Sequence, residues 1–145
     1  MAIIVGLEGV LARHEWRNEL IQSEGWDAYH QAAENDAPNH PVIQAVNALH
    51  DKGQTVFCVC TRPDKWRLLT LNWMVRHGVK VDTLLMRPED NWDKDEQLRE
   101  AALETIVSKN GDDVMFAIEE NEKACEFYRA AGIPVLQLYN PNGGT

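Results

Sequence analysis

A three-layer α/β domain with a central parallel sheet and a small helical insertion after the first strand is the architecture that this sequence predicts. Three observations lead there. Short apolar runs without polar alternation recur along the chain, as strands buried on both faces require. Longer amphipathic segments separate them, and most stop at a glycine. The chain has 145 residues, 44 % of them apolar and 26 % charged, which suits one soluble domain able to bury its own core.

The runs "IIV" (3–5), "TVFCVC" (55–60), "TLLM" (83–86), "VMFAI" (114–118) and "PVLQLY" (134–139) are the expected strands. The segment 40–53 places Val42, Val46 and Leu49 on one stripe and stops at Gly53. Segment 62–78 offers Pro63 for a first turn and Gly78 as its stop, with Trp66, Leu69, Trp73 and Val75 expected to pack inward. Segments 94–111 and 120–132 are the last two expected helices, each closed by glycine. Strand–helix alternation of these lengths implies right-handed βαβ units in a single domain over 1–145. Residues 13–39 break the rhythm. They carry Trp16, Trp26 and Tyr29 and close with "NDAPNHP", so they are expected to form the insertion, folded over the carboxyl edge of the sheet. The tail 140–145, "NPNGGT", is expected to be loose.

The formal charge of −9 bears on partners. An acidic domain is repelled by phosphate backbones, so nucleic-acid binding needs a local basic groove or divalent cations. No apolar run approaches the length of a membrane span, and no signal sequence opens the chain, which reads as cytoplasmic. Cys58, Cys60 and Cys125 are few, odd in number and set in apolar segments, the pattern of buried, inert thiols. The five histidines show no metal-like pairing, and Trp16 or Trp92, where exposed, would suit a protein-binding surface.

Five stretches together carry a resemblance. They are "IIVGLEGVLA", "GWDAYHQAAENDAPNHPV", "TVFCVCTRPDKWRLLTLNWMVRHGVKVDTLLMRPED", "MFAIEEN" and "ACEFYRAAGIPVLQL". In this order and spacing they resemble the HAD superfamily, in particular the phosphatase domain of polynucleotide kinase-phosphatases. The resemblance implies a Rossmann-like, HAD-type fold and a phosphoryl-transfer site at the strand ends, and it exposes four departures. The family's first motif carries two aspartates, a nucleophile and an acid–base; Gly6 and Glu8 stand in their places. Glycine has no oxygen with which to attack phosphorus, and the longer stem of Glu8 moves its carboxylate. The second motif ends in a hydroxyl that holds the phosphoryl group; Cys60 takes that place, with Thr61 one position on and so expected on the opposite face. The third motif contributes a lysine; Leu98 aligns there, with Arg99 beside it and Lys94 nearby. The fourth, a magnesium-binding aspartate pair, is Glu119-Glu120.

The favoured expectation is a pseudo-phosphatase that acts by binding to another protein, with no cofactor and no catalytic residue. Arg62 and Arg87, with Thr61, are its candidate ligand contacts, and the two arginines are expected to pair with the neighbouring glutamates and hold the old site closed. Two alternatives stay open. One is a metal-dependent phosphohydrolase of nucleotides or nucleic-acid 3′ ends, with Glu8, Glu119 and Glu120 as magnesium ligands if activity is retained. The other is a non-catalytic binder of phosphorylated nucleotide ends. A small domain of this kind without a kinase partner is also compatible with a phage or mobile-element origin.

Overall fold

A computed structural model describes residues 1–139; the tail at 140–145 lies outside the described residues. In chain order the strands are β1 (Ala2–Val5), β2 (Ala12–Arg13), β3 (Ala37–Pro38), β4 (Thr55–Pro63), β5 (Thr83–Arg87), β6 (Val114–Glu119) and β7 (Val135–Gln137). The helices are α1 (Leu20–Ser23), α2 (Trp26–Gln31), α3 (His40–Asp51), α4 (Arg67–Arg76), α5 (Asp95–Asn110) and α6 (Glu122–Ala130), with short 3-10 turns at Glu15–Arg17, Ala32–Asn35 and Asp64–Trp66.

Five strands form one parallel sheet in the order β5-β4-β1-β6-β7, so the N-terminal strand lies at its centre. Successive side chains of β1 serve opposite faces. Ile3 and Val5 join Val56 and Cys58 in a core closed by Ile43 and Val46 of α3 and by Trp73 and Met74 of α4. Ala2 and Ile4 join Phe57, Val59 and Ala117 in a second core closed by Ile106 of α5 and by Ala124 and Tyr128 of α6. Burial on both faces explains why these strands lack polar alternation. Strand β7 is shorter than the 134–139 run, and β4 runs on to Pro63 through an irregularity between Val59 and Pro63.

One packing expectation fails. Val75 is 81 % exposed, while Thr70, Trp73 and Met74 form the buried face of α4. At 100° per residue Val75 points away from that face. Both sides of this helix are apolar, so the sequence pattern alone cannot say which side faces the sheet.

The insertion hangs on the two-stranded antiparallel pair β2–β3, with α1, α2 and two 3-10 turns between them. Asn39 pins its base: its backbone N–H donates to Leu11 O at 2.8 Å and its side-chain amide to Val10 O at 3.0 Å. Trp73 of α4 donates its indole N–H to Asp36 O at 2.9 Å, which ties the insertion to the domain body. Among the described residues no helix is long and apolar enough to cross a membrane.

Candidate functional site

The carboxyl ends of β1, β4 and β6 meet around a polar cavity of about 250 Å³, the usual ligand position in open α/β sheets. Glu8, Cys60, Thr61, Arg62, Glu119 and Glu120 all line it, together with His14, Tyr29 and His30 from the insertion. Cys60 and Thr61 both reach the cavity although they are consecutive, because the ladder to β5 is irregular just there.

Glu8 is surrounded by donors. Its Oε2 accepts from Arg17 Nη2 at 2.8 Å and from Tyr29 Oη at 3.1 Å, and Arg62 Nε lies 3.7 Å from its Oε1. Burial pushes its carboxyl up, but the opposing charges of Arg62 and Arg17 outweigh that and hold it below the usual range. Arg17 is fully buried and makes a fork to Asp36, with Nε–Oδ1 and Nη2–Oδ2 both at 2.8 Å. Its guanidinium also stacks 4.3 Å from the Tyr29 ring centroid. Trp16 donates its indole N–H to Asp36 Oδ1 at 2.9 Å, so this tryptophan is half-exposed but anchored. None of Arg17, Asp36 and Tyr29 was a predicted site residue. Arg17 and Asp36 are 19 positions apart and joined only in the fold, so the one sequence signal available was an arginine inside a turn-rich insertion.

Glu119 is held differently. Its Oε1 accepts the backbone N–H groups of Glu120 at 2.8 Å and Asn121 at 3.2 Å, at the N-terminal end of α6. Its other oxygen, Oε2, lies 2.6 Å from where a Cβ on residue 6 would stand. The carboxylate of Glu119 thus fills the space that a side chain at Gly6 would need. Glu120 repeats the arrangement against Gly9, with Oε2 2.6 Å from its would-be Cβ; Gly9 has φ +84° and is confined to glycine on backbone grounds as well. Burial pushes Glu119 up, against the pull of the two backbone N–H groups and Arg99. Burial and the charges of Glu119 and Glu15 push Glu120 up to about 7.

The remaining candidates divide. Arg62 is buried and donates from Nη1 to Thr70 Oγ1 at 2.8 Å, while its Nε has no hydrogen-bond partner. Arg87 does not pair with any of the three glutamates. It binds Asp95 at 2.8 Å and the backbone oxygens of Asp93 and Thr61, because β5 carries it to the outer side of the α5 entrance. Leu98 is buried and faces away from the cavity; one residue of helical rotation brings Arg99 to its lining instead. Lys94 caps α5 and is not part of the lining. Cys60 is a poor nucleophile, since burial pushes its thiol up to about 12.

Magnesium is the cation that a HAD-type site implies, and the residues present do not fit it. The oxygens of Glu8 face two arginines and a tyrosine hydroxyl, and one oxygen of Glu119 is committed to backbone N–H groups. Among the described residues no three His, Cys, Asp or Glu side chains gather as a metal-holding group.

Comparison with solved structures shows the fold. A chain of the Pnkp1/Rnl/Hen1 complex superposes with TM-score 0.75 at 21 % identity, over 94 % of this chain and 45 % of that one. A chain of the Pnkp1/Rnl/Hen1 RNA repair complex gives 0.76 at 20 %, over 94 % and 42 %. The class C acid phosphatase from Bacillus anthracis with tungstate bound gives 0.68 at 14 %, over 97 % and 66 %. The chain therefore spans less than half the length of the first two. Comparison with curated proteins returns no significant match. The family profile described as the polynucleotide kinase PNKP phosphatase domain matches residues 1–142. With a HAD-type sheet, motif positions at its strand ends and a profile match over nearly its whole length, the chain belongs to the polynucleotide kinase PNKP phosphatase domain family of HAD proteins.

Proposed function

We propose that this domain is a catalytically silent member of its family that works by binding, with a protein as its partner. One observation carries the silent reading: the Glu119 carboxylate packs into the volume above Gly6 from which the family's nucleophile would attack. Glu119 cannot simply replace that nucleophile. One of its oxygens is bound by two backbone N–H groups at the start of α6, which hold the carboxylate in place and draw charge from it. Glu8, in the acid–base place, is an ionised partner of Arg17 and has no proton to give a leaving group at neutral pH. The protein partner is supported by the two neighbours that come from multiprotein assemblies.

Incubation of the purified protein with magnesium and either an aryl phosphate or a 3′-phosphorylated oligonucleotide is expected to give no turnover above background. Turnover that Glu8→Gln or Glu119→Gln abolishes would overturn the silent reading.

A second reading, non-catalytic binding of a phosphorylated nucleotide end, has its own support. Arg62 Nε, 3.7 Å from Glu8 Oε1, and His30 Nδ1 are buried in the cavity wall without hydrogen-bond partners, and buried polar atoms left so are costly unless a ligand meets them. Thermal melts with 3′-phosphorylated ligands decide it, since a ligand specific to the folded chain must raise the midpoint. An unmoved midpoint at millimolar ligand removes this reading.

A further inference from the structure

We infer that the apolar cavity between β5 and α5, with the acidic loop that rims it, docks a basic segment of a partner protein through one bulky apolar side chain. This rests on the protein-partner reading above and deepens it by naming the surface and the partner's chemistry. The cavity, of about 240 Å³, adjoins the polar one at Val59 and Cys60 but is lined differently. Leu85, Met86 and Pro88 wall one side and Leu98, Ala101 and Ala102 of α5 the other, and no lysine or arginine reaches it. Its rim is the loop after β5, where Asn91 and Asp93 line the cavity and Trp92 between them is 91 % exposed. A tryptophan left in water beside an apolar cavity is the pairing from which interface hot spots are built. The loop is already ordered. Arg87 Nη1 donates to Asp93 O at 2.6 Å, Asn91 N–H to Pro88 O at 3.2 Å and Asp93 N–H to Asn91 Oδ1 at 2.9 Å, so docking has little ordering left to do.

Charge selects the occupant. Residues 88–96 hold five carboxylates, Glu89, Asp90, Asp93, Asp95 and Glu96, all exposed, against Lys94 alone. Arg87 neutralises Asp95 at 2.8 Å; the other four make no ion pair among the described residues. Glu104 adds a further carboxylate one turn along α5 from Ala101. Lysines or arginines that flank the incoming apolar side chain therefore meet uncompensated opposite charge, whereas a nucleic-acid backbone is repelled. The chain's own tail is no occupant, since "NPNGGT" has neither a basic residue nor a bulky apolar one. A second copy is a poor one. Its basic stretch beside an exposed apolar residue is 65–68, ending at Leu68, but Lys65 is bound to Asp27 at 2.8 Å and Arg67 to Asp64 at 2.7 Å. Two bodies of charge −9 also repel each other.

Three labelled peptides test this: one with a single leucine among lysines, a twin with glutamates in place of the lysines, and a third with alanine in place of the leucine. Fluorescence anisotropy with the full chain is expected to show the first binding and the other two failing, with amide shifts confined to β5, the loop after it and α5. Trp92→Ala, and Ala101→Leu, which fills the cavity from the helix side, should each weaken the first peptide by about tenfold or more. Glu89→Lys with Asp93→Asn should remove most of its salt dependence. Equal binding of the glutamate twin, undiminished binding of the alanine peptide, unchanged affinity in both Trp92→Ala and Ala101→Leu, shifts elsewhere, or no binding at all overturns the proposal. So does a dimer in sedimentation that Ala101→Leu dissociates, because the second copy would then be the occupant. The phosphatase assay stands apart: turnover would sink the silent site without altering a positive peptide titration, and a failed titration would leave the silent site intact.

Discussion

Glu8 and Glu119 stand at the carboxyl ends of two neighbouring strands, β1 and β6, and line the same cavity. Their environments push them in opposite directions. Glu8 faces the insertion, where Arg17, Arg62 and Tyr29 supply charge and hydrogen bonds, so its ionised form is favoured despite burial. Glu119 turns toward Gly6, with two backbone N–H groups at the start of α6 as its donors, and burial wins. The same residue type thus becomes an ionic clamp at one strand end and a space-filling acid at the next. The difference shows that lengthening an aspartate to a glutamate has no fixed chemical meaning; what matters is which element the longer stem reaches.

The clamp is the part of this contrast that breaks most visibly. Arg17→Met removes the cation from between two carboxylates and leaves buried Asp36 without its charged partner. Breaking a buried pair from one side costs about 3–5 kcal/mol. Urea denaturation should report a loss of that order, with the insertion's amides losing exchange protection first. Wild-type stability in Arg17→Met would mean that the clamp contributes nothing. Adding Asp36→Leu to Arg17→Met should recover part of the loss, because Asp36 then leaves no uncompensated charge behind while Glu8 keeps Arg62 as its partner.

The space-filling side is sharpened by a double-mutant cycle at Gly6 and Glu119. Gly6→Ala sets a methyl group 2.6 Å from Glu119 Oε2, closer than real contacts allow. Overpacking of this kind costs about 1–3 kcal/mol. Glu119→Asp withdraws the oxygen by one methylene, so the double variant should be more stable than the sum of the single effects predicts, by about 0.5–3 kcal/mol. The same logic says that Gly6→Asp alone cannot restore a nucleophile, and that any attempt at reactivation must shorten residue 119 in the same protein. Strict additivity of the two changes would show that Glu119 swings clear without cost and does not occupy the site.

Much of this was legible in the sequence, and the exceptions have physical causes. Strands buried on both faces announce themselves as unbroken apolar runs, so the sheet could be read directly. Gly6 and Glu8, two apart at a strand end, pointed to the edge of the sheet where the cavity lies. What could not be read is what depends on tertiary meetings. Nothing local in Arg17 or Asp36 says that they form a fork across 19 residues, or that Glu8 joins it. That Glu119 fills the volume above Gly6 depends on two strands separated by more than a hundred residues. Val75 was misplaced because α4 offers apolar residues on both sides, and periodicity gives the stripes without saying which one is covered. Arg99 stands one residue from Leu98, a rotation of 100° that moves a side chain from core to cavity and lies within the error of any motif alignment.

The smallest expected effect lies in the pH profile, because the two halves of the site oppose each other there. Glu120, pushed up to about 7, holds its proton more tightly when folded than when unfolded. Its contribution to stability is therefore full below the ordinary carboxylate range and is lost as pH rises through about 7; Glu119 adds in the same direction. His30 is pushed down to about 4 by burial, with Arg62 and Arg17 assisting against the pull of Glu8, so its contribution is present above its ordinary value and is lost as pH falls toward 4. Glu8, held low, likewise contributes above the ordinary carboxylate range and ceases to as pH drops through its lowered value. Between about pH 4.5 and 6.5 the Glu120 and His30 slopes run in opposite directions and flatten the wild-type curve. Glu120→Gln removes one of them while keeping the shape of the side chain, so the variant's urea midpoint should climb with pH across that window where the wild type's is flat. A variant profile parallel to the wild type would mean that Glu120 keeps ordinary acidity and is solvated rather than pressed against Gly9. In that case the crowding argument would hold for Glu119 alone.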